Sequence, residues 1–414
     1  MDYQNDTKYA LLLDKEDELK EFRRMFFIPD KHGKPSIYMC GNSLGLQPKS
    51  AKFYIEQEMR DWREMGVEGH LDAKNPWLHY HTLFPTEANL VGALPSEVVL
   101  MNTLTVNLHL LMVSFYRPKG KRTKILMEAG AFSSDQYAVE SQINFHGLDY
   151  GKDVIEVAPR KGEYLIREED ILQAIDENKK ELALVLLGGV NYYTGQYFNL
   201  EAITKAGHQA GAVVGFDLAH AVGNVLLQLH DWNVDFAAWC TYKYLNSGPG
   251  GVGGVFVHER HGNDASLPRF AGWWGHDEKE RFKMQKGFKP MVGAAGWQVS
   301  NAQVISMAVH KASLDIFDEA GFDRLREKSV KLTGYLEFLI KGNPKFKIIT
   351  PSDPQRRGCQ LSLLVKKDGK ALFDKLDREG IIADWREPNV IRISPVPLYN
   401  TFSEVHRVAE VLNS

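Results

Sequence analysis

Two apolar segments of this 414-residue chain each lead to side chains that could take part in catalysis. Residues 212–216 run into Asp217, and His220 follows three positions later. Residues 236–240 run towards Lys243. A partly desolvated lysine amine can react with an aldehyde, and a carboxylate beside a pyridine nitrogen keeps the ring protonated, which makes it a better electron sink. These residues therefore predict a site for pyridoxal phosphate.

Each of the three residues also has an ordinary structural interpretation. Lys243 could be a surface lysine between two tyrosines, Asp217 could cap a helix, and His220 could be a satisfied core histidine. The context favours a ligand site, because SGPGGVGG follows Lys243 and glycines let the backbone pass close to a bound molecule. Asp217 also ends a predicted strand, and open α/β sheets bind ligands at the carboxyl ends of their strands.

Polar residues at two predicted strand-to-helix junctions could hold the rest of such a cofactor. Residues 102–107, NTLTVN, open a helix whose free amides and hydroxyls would suit a phosphate. At the second junction Phe132 precedes Ser133, Ser134 and Asp135, and its ring could stack on a planar cofactor. Plain helix capping explains the same polar residues, and Phe132 could belong to the core.

Two further residues could bind a substrate. Arg392 lies in an alternating strand of the C-terminal region, where it either faces solvent or clamps a carboxylate with its two-pronged guanidinium. Asn42 precedes a tight turn and could be purely structural. We find no convincing metal-ligand spacing, no G-x-S-x-G elbow and no phosphate-binding G-x-x-x-x-G-K-[ST] loop.

The elements that position these residues alternate between short apolar strands and helices of about a dozen residues, which is typical of a mainly parallel sheet covered on both faces. We expect an N-terminal segment at 1–65 that packs with a small domain, a large cofactor-binding domain at 66–301, and a small α+β domain at 302–414. Helix 302–319 is predicted to be the hinge.

Other details of the predicted elements are open to direct comparison. Residues 8–27 show helical spacing of apolar groups and predict one amphipathic helix. A second helix is predicted from residue 77 to residue 92. In the small domain, residues 381–385 predict a single strand.

The composition excludes several classes of protein. Hydrophobic residues make up 44% and charged residues 25%, as in an ordinary globular protein. The net charge of −3 and the lack of a basic tract with interleaved aromatics argue against a nucleic-acid partner.

Three widely separated cysteines predict no disulfide framework, and the polar, acidic N-terminus is not a signal peptide. No apolar stretch approaches the length of a membrane span. We therefore expect a cytoplasmic protein with no membrane partner.

Taken together, the motifs resemble those of kynureninases, pyridoxal phosphate enzymes of tryptophan catabolism and NAD biosynthesis. The resemblance rests on MNTLTVNLHLLM, YTGQYFN, GFDLAHAVGN, LHDWNVDFAAWCTYKYLNSGPGG, GWWGH, RFKM, VSN and RISPVPLYNTF, spread over residues 38–405. GFDLAHAVGN with the downstream TYKYLN is the most specific of these. The resemblance implies a fold type I, aminotransferase class V-like α/β structure, with a mainly parallel seven-stranded sheet in the large domain and a smaller α+β domain.

The resemblance also implies a reaction and a set of site residues. The reaction is hydrolysis of the Cβ–Cγ bond of L-kynurenine or, preferentially, 3-hydroxy-L-kynurenine, to alanine and anthranilate or 3-hydroxyanthranilate. Lys243, Tyr242 and Asp217 would be catalytic. The cofactor would be held by Leu104, Thr105, Phe132, Ser133, Ser134, Asp135, Asp217, His220, Tyr242, Lys243, Trp273 and Asn301. The substrate would be held by Asn42, His70, Ser300, Asn301 and Arg392.

Within this set, some residues receive more specific roles. Arg392 would hold the substrate carboxylate, and Thr105 with Tyr242 would hold most of the phosphate. A homodimer is implied, with Trp273 and Asn301 contributed across the interface. His70, Ser300 and Asn301 would line the aryl pocket, and this polar set is of the type that prefers 3-hydroxykynurenine.

The chain departs from the family pattern in two places. Where some relatives have serine before YTG, this chain has Gly188-Gly189, so a cofactor contact there must come from the backbone or be absent. FSSD replaces a frequent FP-x-D and mainly loses a stiff turn.

Two alternatives remain open at this point. One is a cysteine desulfurase-like enzyme of the same fold, with Cys359 as its mobile nucleophile, although a buried structural cysteine fits the strand-like GCQLSLLV better. The other is a catalytically inactive pyridoxal phosphate-binding protein.

Overall fold

The computed structural model describes residues 3–414. Its α-helices are α1 Thr7–Glu16, α2 Ala51–Met65, α3 Gly69–Asp72, α4 Pro85–Leu90, α5 Leu104–Phe115, α6 Ser133–Phe145, α7 Tyr150–Asp153, α8 Glu168–Glu177, α9 Leu200–Gln209, α10 Glu259–Gly262, α11 Val304–Ala320, α12 Phe322–Ile340, α13 Gly369–Arg378 and α14 Phe402–Asn413. Short 3₁₀ helices include Lys20–Met25, Trp77–Leu83, Pro95–Glu97 and Trp273–Gly275.

The strands are β1 Asp30–Lys31, β2 Lys34–Pro35, β3 Ile37–Tyr38, β4 Val98–Leu100, β5 Lys124–Glu128, β6 Val154–Val157, β7 Leu182–Gly188, β8 Val213–Asp217, β9 Phe236–Cys240, β10 Gly253–Val257, β11 Phe346–Ile348, β12 Leu361–Val365, β13 Ile381–Ile382, β14 Asp384–Arg386 and β15 Val390–Ile393. Among residues 3–414, no helix is both long and apolar enough to cross a membrane.

A seven-stranded sheet forms the centre of the large domain, in the order β4-β10-β9-β8-β7-β5-β6. Only β10 runs against its neighbours, so the predicted mainly parallel sheet is confirmed. Every residue of β9 and β10 is buried, as expected for apolar strands covered on both faces. The carboxyl ends of β5, β7 and β8 meet at one edge, which places Glu128, Gly188 and Asp217 side by side.

A second sheet of four antiparallel strands, β11-β12-β15-β14, lies in the C-terminal region with α12, α13 and α14. The prediction of a single strand at 381–385 is wrong. β13 pairs with β3 of the N-terminal segment, whereas β14 pairs with β15. The chain therefore changes sheets at Ala383, which a continuous apolar pattern cannot reveal.

The N-terminal segment contacts the C-terminal region at several points. Helix α1 packs against α14, and α2 packs against α11. Asp14 accepts hydrogen bonds from the backbone amides of Phe402 and Ser403 at 2.6 and 3.1 Å, at the start of α14. These contacts fit the predicted packing of 1–65, while the boundaries 1–65, 66–301 and 302–414 stay a prediction.

Two predicted helices are shorter than expected. The helix predicted at 8–27 ends at Glu16 and is followed by a separate 3₁₀ helix, because the backbone of Asp17 is extended. The helix predicted at 77–92 is interrupted before Pro85, which instead begins α4. Proline lacks a backbone donor and is tolerated only in the first turn of a helix.

A buried polar chain ties the sheet to α11. Glu87 of α4 accepts hydrogen bonds from the indole of Trp239 in β9 and from His310 of α11, the latter at 2.9 Å. The side chains of Glu87 and His310 are both fully buried. Among the described residues, Glu87 is the only hydrogen-bond partner of the Trp239 indole and of Nε2 of His310, so removing Glu87 would leave both groups unpaired.

We predict that Glu87→Ala destabilises the folded protein by about 3–5 kcal/mol, because it leaves buried polar groups unpaired. The measurement is the midpoint of urea unfolding, followed by circular dichroism. Glu319→Ala, an exposed change on α11, is the control and should leave the midpoint unchanged. Equal midpoints for the two variants would contradict the prediction.

Candidate active site

Asp217 ends β8 at the carboxyl edge of the sheet, where the chain turns without entering a helix. Its Oδ1 accepts a hydrogen bond from the amide of Ala219 at 2.8 Å, so it closes a local turn rather than capping a helix. Burial raises the pKa of Asp217, while a hydrogen bond with Asp135 and the charge of Lys243 lower it.

Lys243 lies in the turn after β9, and its Nζ is 3.0 Å from Nε2 of His220. Burial, with the nearby positive charge of Lys243, holds the pKa of His220 well below its usual range, so the imidazole is neutral. A neutral ring that accepts from the Lys243 ammonium at Nε2 carries its proton at Nδ1. That Nδ1 is buried and has no partner among the described residues. The ring centroid of Phe132 is 5.9 Å from the lysine amine.

Asp135 of α6 stands beside Asp217, and a hydrogen bond joins the two carboxyl groups. Burial and the charge of Asp217 raise the pKa of Asp135 well above its usual range. Asp135 is therefore the protonated partner and donates to Asp217. This bond helps Asp217 to remain ionised in a confined site.

The start of α5 forms another wall. Thr103 is the N-cap residue, but its side chain makes no capping hydrogen bond. The first amides of the helix have no partner within the helix, so they can face an anion. Gly253 of β10 passes close to this corner, since a Cβ there would lie 3.2 Å from the amide nitrogen of Leu104.

These residues surround a cavity of about 140 Å³. It is lined by nine of the predicted cofactor residues: Leu104, Thr105, Phe132, Ser134, Asp135, Asp217, His220, Tyr242 and Lys243. It is also lined by Thr103, Glu128, Gly188, Val190, Tyr192 and Ala219. The lysine, the acid opposite it, the free histidine nitrogen and the amide corner form a donor set that fits pyridoxal phosphate.

Arg392 is fully buried, so it does not face solvent as the simpler interpretation of its strand would have it. Its guanidinium donates to Asp384 and to the carbonyl of Tyr192, both at 2.7 Å, and to Oγ of Ser43 at 3.1 Å. Asn42 is buried next to it, and its amide oxygen accepts from Arg392 Nε at 3.2 Å. Because Tyr192 also lines the cavity, Arg392 lies directly behind the cavity wall.

The structure does not bring five predicted site residues to this cavity within one chain. Ser133, Ser300 and Asn301 are exposed. Trp273 is 42% exposed, and its indole donates to the carbonyl of Arg281. His70 lies in α3, with Nδ1 3.0 Å from the carbonyl oxygen of Val67. Their roles remain predictions.

Comparison with known proteins gives consistent relatives. Residues 325–412 match the family model "Kynureninase C-terminal domain". A kynureninase of Flavobacterium johnsoniae is 54% identical over 100% of this chain and 98% of its own length. One of Myxococcus xanthus is 54% identical over 99% and 97%, and one of Nematostella vectensis is 49% identical over 98% and 93%.

The chain belongs to the kynureninase family. The predicted family is thereby confirmed, and with it the enzyme class, a hydrolase that depends on pyridoxal phosphate. Solved structures show the fold. A C-DES variant with glycine covalently linked to its PLP cofactor matches with a TM-score of 0.77, 18% identity and coverage of 93% and 99%. The Escherichia coli cysteine desulfurase CsdA matches with a TM-score of 0.76, 17% identity and coverage of 95% and 97%. These likenesses confirm the fold type I architecture.

Cys359 is unsuited to the desulfurase alternative. It is 1% exposed, two residues before β12 in the small domain. Burial raises the pKa of its thiol to about 12. A reactive cysteine needs exposure and a thiolate, and this one has neither.

Three residues of this kynureninase-family site were missed from the sequence: Glu128, Tyr192 and Asp384. Glu128 ends β5 as Asp217 ends β8, so the strand-end signal that identified Asp217 was available for it too. Tyr192 and Asp384 carried no comparable signal, because the loop and the short strand that hold them converge only in the folded chain.

We predict that Asp135→Ala weakens binding of pyridoxal phosphate about tenfold, because it removes the donor to Asp217. Asp135→Asn keeps an N–H donor at the same place and should bind nearly as wild type does. Titration of the apoprotein with the cofactor, followed by absorbance, measures both constants. Equal weakening in the two variants would show that the hydrogen bond to Asp217 is not what matters.

Proposed function

We propose that this enzyme hydrolyses the Cβ–Cγ bond of L-kynurenine and of 3-hydroxy-L-kynurenine, with the hydroxylated substrate preferred. The products are alanine and anthranilate or 3-hydroxyanthranilate, which places the reaction in tryptophan catabolism. One observation carries the proposal: the amine of Lys243 and the carboxylate of Asp217 line one cavity, and the buried guanidinium of Arg392 lies behind its wall, bonded to the carbonyl of Tyr192. An α-amino acid offers the complementary amine and carboxylate.

Bound at Lys243, pyridoxal phosphate supplies an electron sink for the substrate's α-carbon. Asp217 holds a proton on the ring nitrogen, and Asp135 supports it. The neutral ring of His220 lies beside the lysine without adding charge. With substrate bound there, the Lys243 amine would be the base that takes the proton from Cα.

Tyr242 lines the same cavity, 6.0 Å from the lysine amine measured to its ring centroid. Burial raises the pKa of its phenol, so the hydroxyl stays protonated at neutral pH. It is therefore suited to donate a hydrogen bond to the cofactor phosphate, together with Thr105. Alternatively, it could donate a proton to the leaving side of the substrate.

We propose that Arg392 holds the substrate carboxylate. Asp384, Ser43, Asn42 and the carbonyl of Tyr192 fix the plane of its guanidinium. A planar guanidinium held in this way can bind a carboxylate with little loss of side-chain freedom.

A homodimer would complete the site with Trp273 and Asn301 of the second subunit, and His70 and Ser300 would line the aryl pocket. Exposed apolar side chains surround these residues, as is typical of interaction surfaces. Near His70 they are Trp62, Val67 and Leu71, and near Trp273 they are Phe270, Phe282, Met284 and Val292. In the free cysteines Cys40, Cys240 and Cys359 we find support for a reducing, cytoplasmic setting.

Replacing Lys243 by alanine should abolish the visible absorbance of the lysine–cofactor Schiff base and the release of alanine from kynurenine. Absorbance of the purified protein with added cofactor is the first measurement, and alanine release is the second. Lys205→Ala, a change on the exposed face of α9, is the control and should alter neither. An unchanged spectrum for Lys243→Ala would refute the assignment.

The substrate preference predicts a higher kcat/KM for 3-hydroxykynurenine than for kynurenine, because the aryl-pocket set His70, Ser300 and Asn301 offers polar partners to a ring hydroxyl. Product fluorescence with each substrate gives the ratio. A ratio that clearly favours plain kynurenine would contradict the preference without affecting the proposed reaction.

Mixing two inactive variants tests the shared site. If Asn301 acts across the interface, a hybrid of Lys243→Ala and Asn301→Ala subunits has one doubly altered site and one intact site. Random reassociation should then restore about a quarter of wild-type activity. If Asn301 acts within its own chain, every hybrid site carries one substitution and no activity returns.

A further inference from the structure

Glu128 is a buried acid in the candidate cofactor cavity with no assigned role. It ends β5, separated from Asp217 of β8 by the single strand β7. Its side chain lines the cavity but is only 3% exposed. Within residues 3–414, no lysine, arginine or histidine forms an ion pair with it. Its carboxylate oxygens accept from the amide of Gly188, at 3.1 and 3.2 Å.

Holding a carboxyl group in such a place costs stability, since buried acids are ordinarily paired with a cation. The pKa of Glu128 is raised to about 7, mainly by burial and to a smaller extent by the charge of nearby Asp217. A carboxyl group in this state changes charge easily when a new charge arrives beside it.

The titratable groups around Glu128 show which new charge could change its ionisation. Asp217 and Asp135 are the acids of the same cavity, and Lys243 and His220 lie beyond them. The flanking strands present no titratable group to it, since β7 ends at Gly188 and Val157 is its partner in β6. Because Asp135 is protonated and His220 is neutral, the charges here are those of Asp217, Lys243 and, when it is ionised, Glu128. A cationic ring bound at Asp217 would be a new positive charge beside them.

Gly188 is what makes room for this acid. A Cβ at position 188 would lie 2.9 Å from Oε1 of Glu128, closer than an unstrained contact allows. The amide of Gly188 is also committed to Glu128, so it is not free to bind the cofactor. The absence of a side chain at Gly188 thus allows Glu128 to lie against the β7 backbone.

We propose that Glu128 is a positioning residue that, as a carboxylate held by the Gly188 amide, stabilises the protonated cofactor ring from behind Asp217. The inference rests on the proposed placement of the ring at Asp217. Glu128 does not touch the reacting atoms. Its negative charge adds to that of Asp217, and the cationic ring in turn favours the ionised form of Glu128.

The reciprocal effect gives a signature in pH. Because the bound ring favours ionised Glu128, cofactor binding releases the proton that Glu128 carries at low pH. A tenfold contribution to affinity corresponds to a fall of about one unit in the pKa of Glu128 on binding, from about 7 in the free protein. The contribution of Glu128 to affinity should therefore be absent at about pH 5 and almost fully present at about pH 8.

The test compares dissociation constants of pyridoxal phosphate for the wild-type apoprotein and Glu128→Gln across this range. We expect the variant to bind about as tightly as wild type near pH 5 and about tenfold more weakly near pH 8. Taking the ratio of the two constants removes the titration of the cofactor itself. Glu156→Gln, an exposed acid on β6, is the matched control and should keep the ratio at one throughout.

Other results overturn the inference. A ratio that is constant with pH, whether one or larger, would show that the side chain only fills space. If Glu128→Gln does not fold, as judged by circular dichroism, Glu128→Asp keeps the charge and must retain the rise in affinity with pH; a flat profile there overturns the proposal. Failure of wild-type protein to bind the cofactor at any pH would refute the proposed function instead.

Discussion

The candidate site depends on keeping one carboxylate ionised in a narrow cavity. Asp217 must carry a negative charge in the same cavity as the half-buried Lys243, although burial favours its neutral form. Three local features counter this: the amide of Ala219, the proton of Asp135 and the charge of Lys243. His220, kept neutral, fills the space beside the lysine without competing for the acid. The candidate cofactor site thus brings a carboxylate and a lysine amine together at one edge of the sheet.

The proposed place for a substrate carboxylate is built from three distant parts of the chain. Asn42 and Ser43 come from the N-terminal segment, Tyr192 from a loop of the large sheet, and Asp384 with Arg392 from the four-stranded sheet. The pairing of β3 with β13 brings the first and last of these together. A movement of the small domain would therefore move Arg392 relative to Lys243.

The fold alone does not distinguish this enzyme from its structural neighbours. Two cysteine desulfurases superpose over 91% and 95% of the chain at 17% identity. What differs is the chemistry placed on the shared frame. Cys359 is buried and its thiol is protonated, so it is unsuited to desulfurase chemistry. Relatives that are about half identical to this chain in sequence are kynureninases. Function in this fold follows from the side chains at the strand ends and in the small domain.

The sequence by itself determined the strand-end chemistry, because Asp217 and Lys243 follow apolar segments whose direction and burial are local properties. It also predicted most elements of both domains. It could not show that residues 381–386 divide between two sheets, that Pro85 begins a helix, or that Arg392 points inward to Asp384. The division of the strand depends on β3, which is far away in the chain, and the direction of Arg392 depends on how β14 and β15 pair. Only the tertiary structure placed Glu128, Asp135 and Asp217 in one cavity, because the charge that each acid carries is set by neighbours that meet only when β5, α6 and β8 pack together.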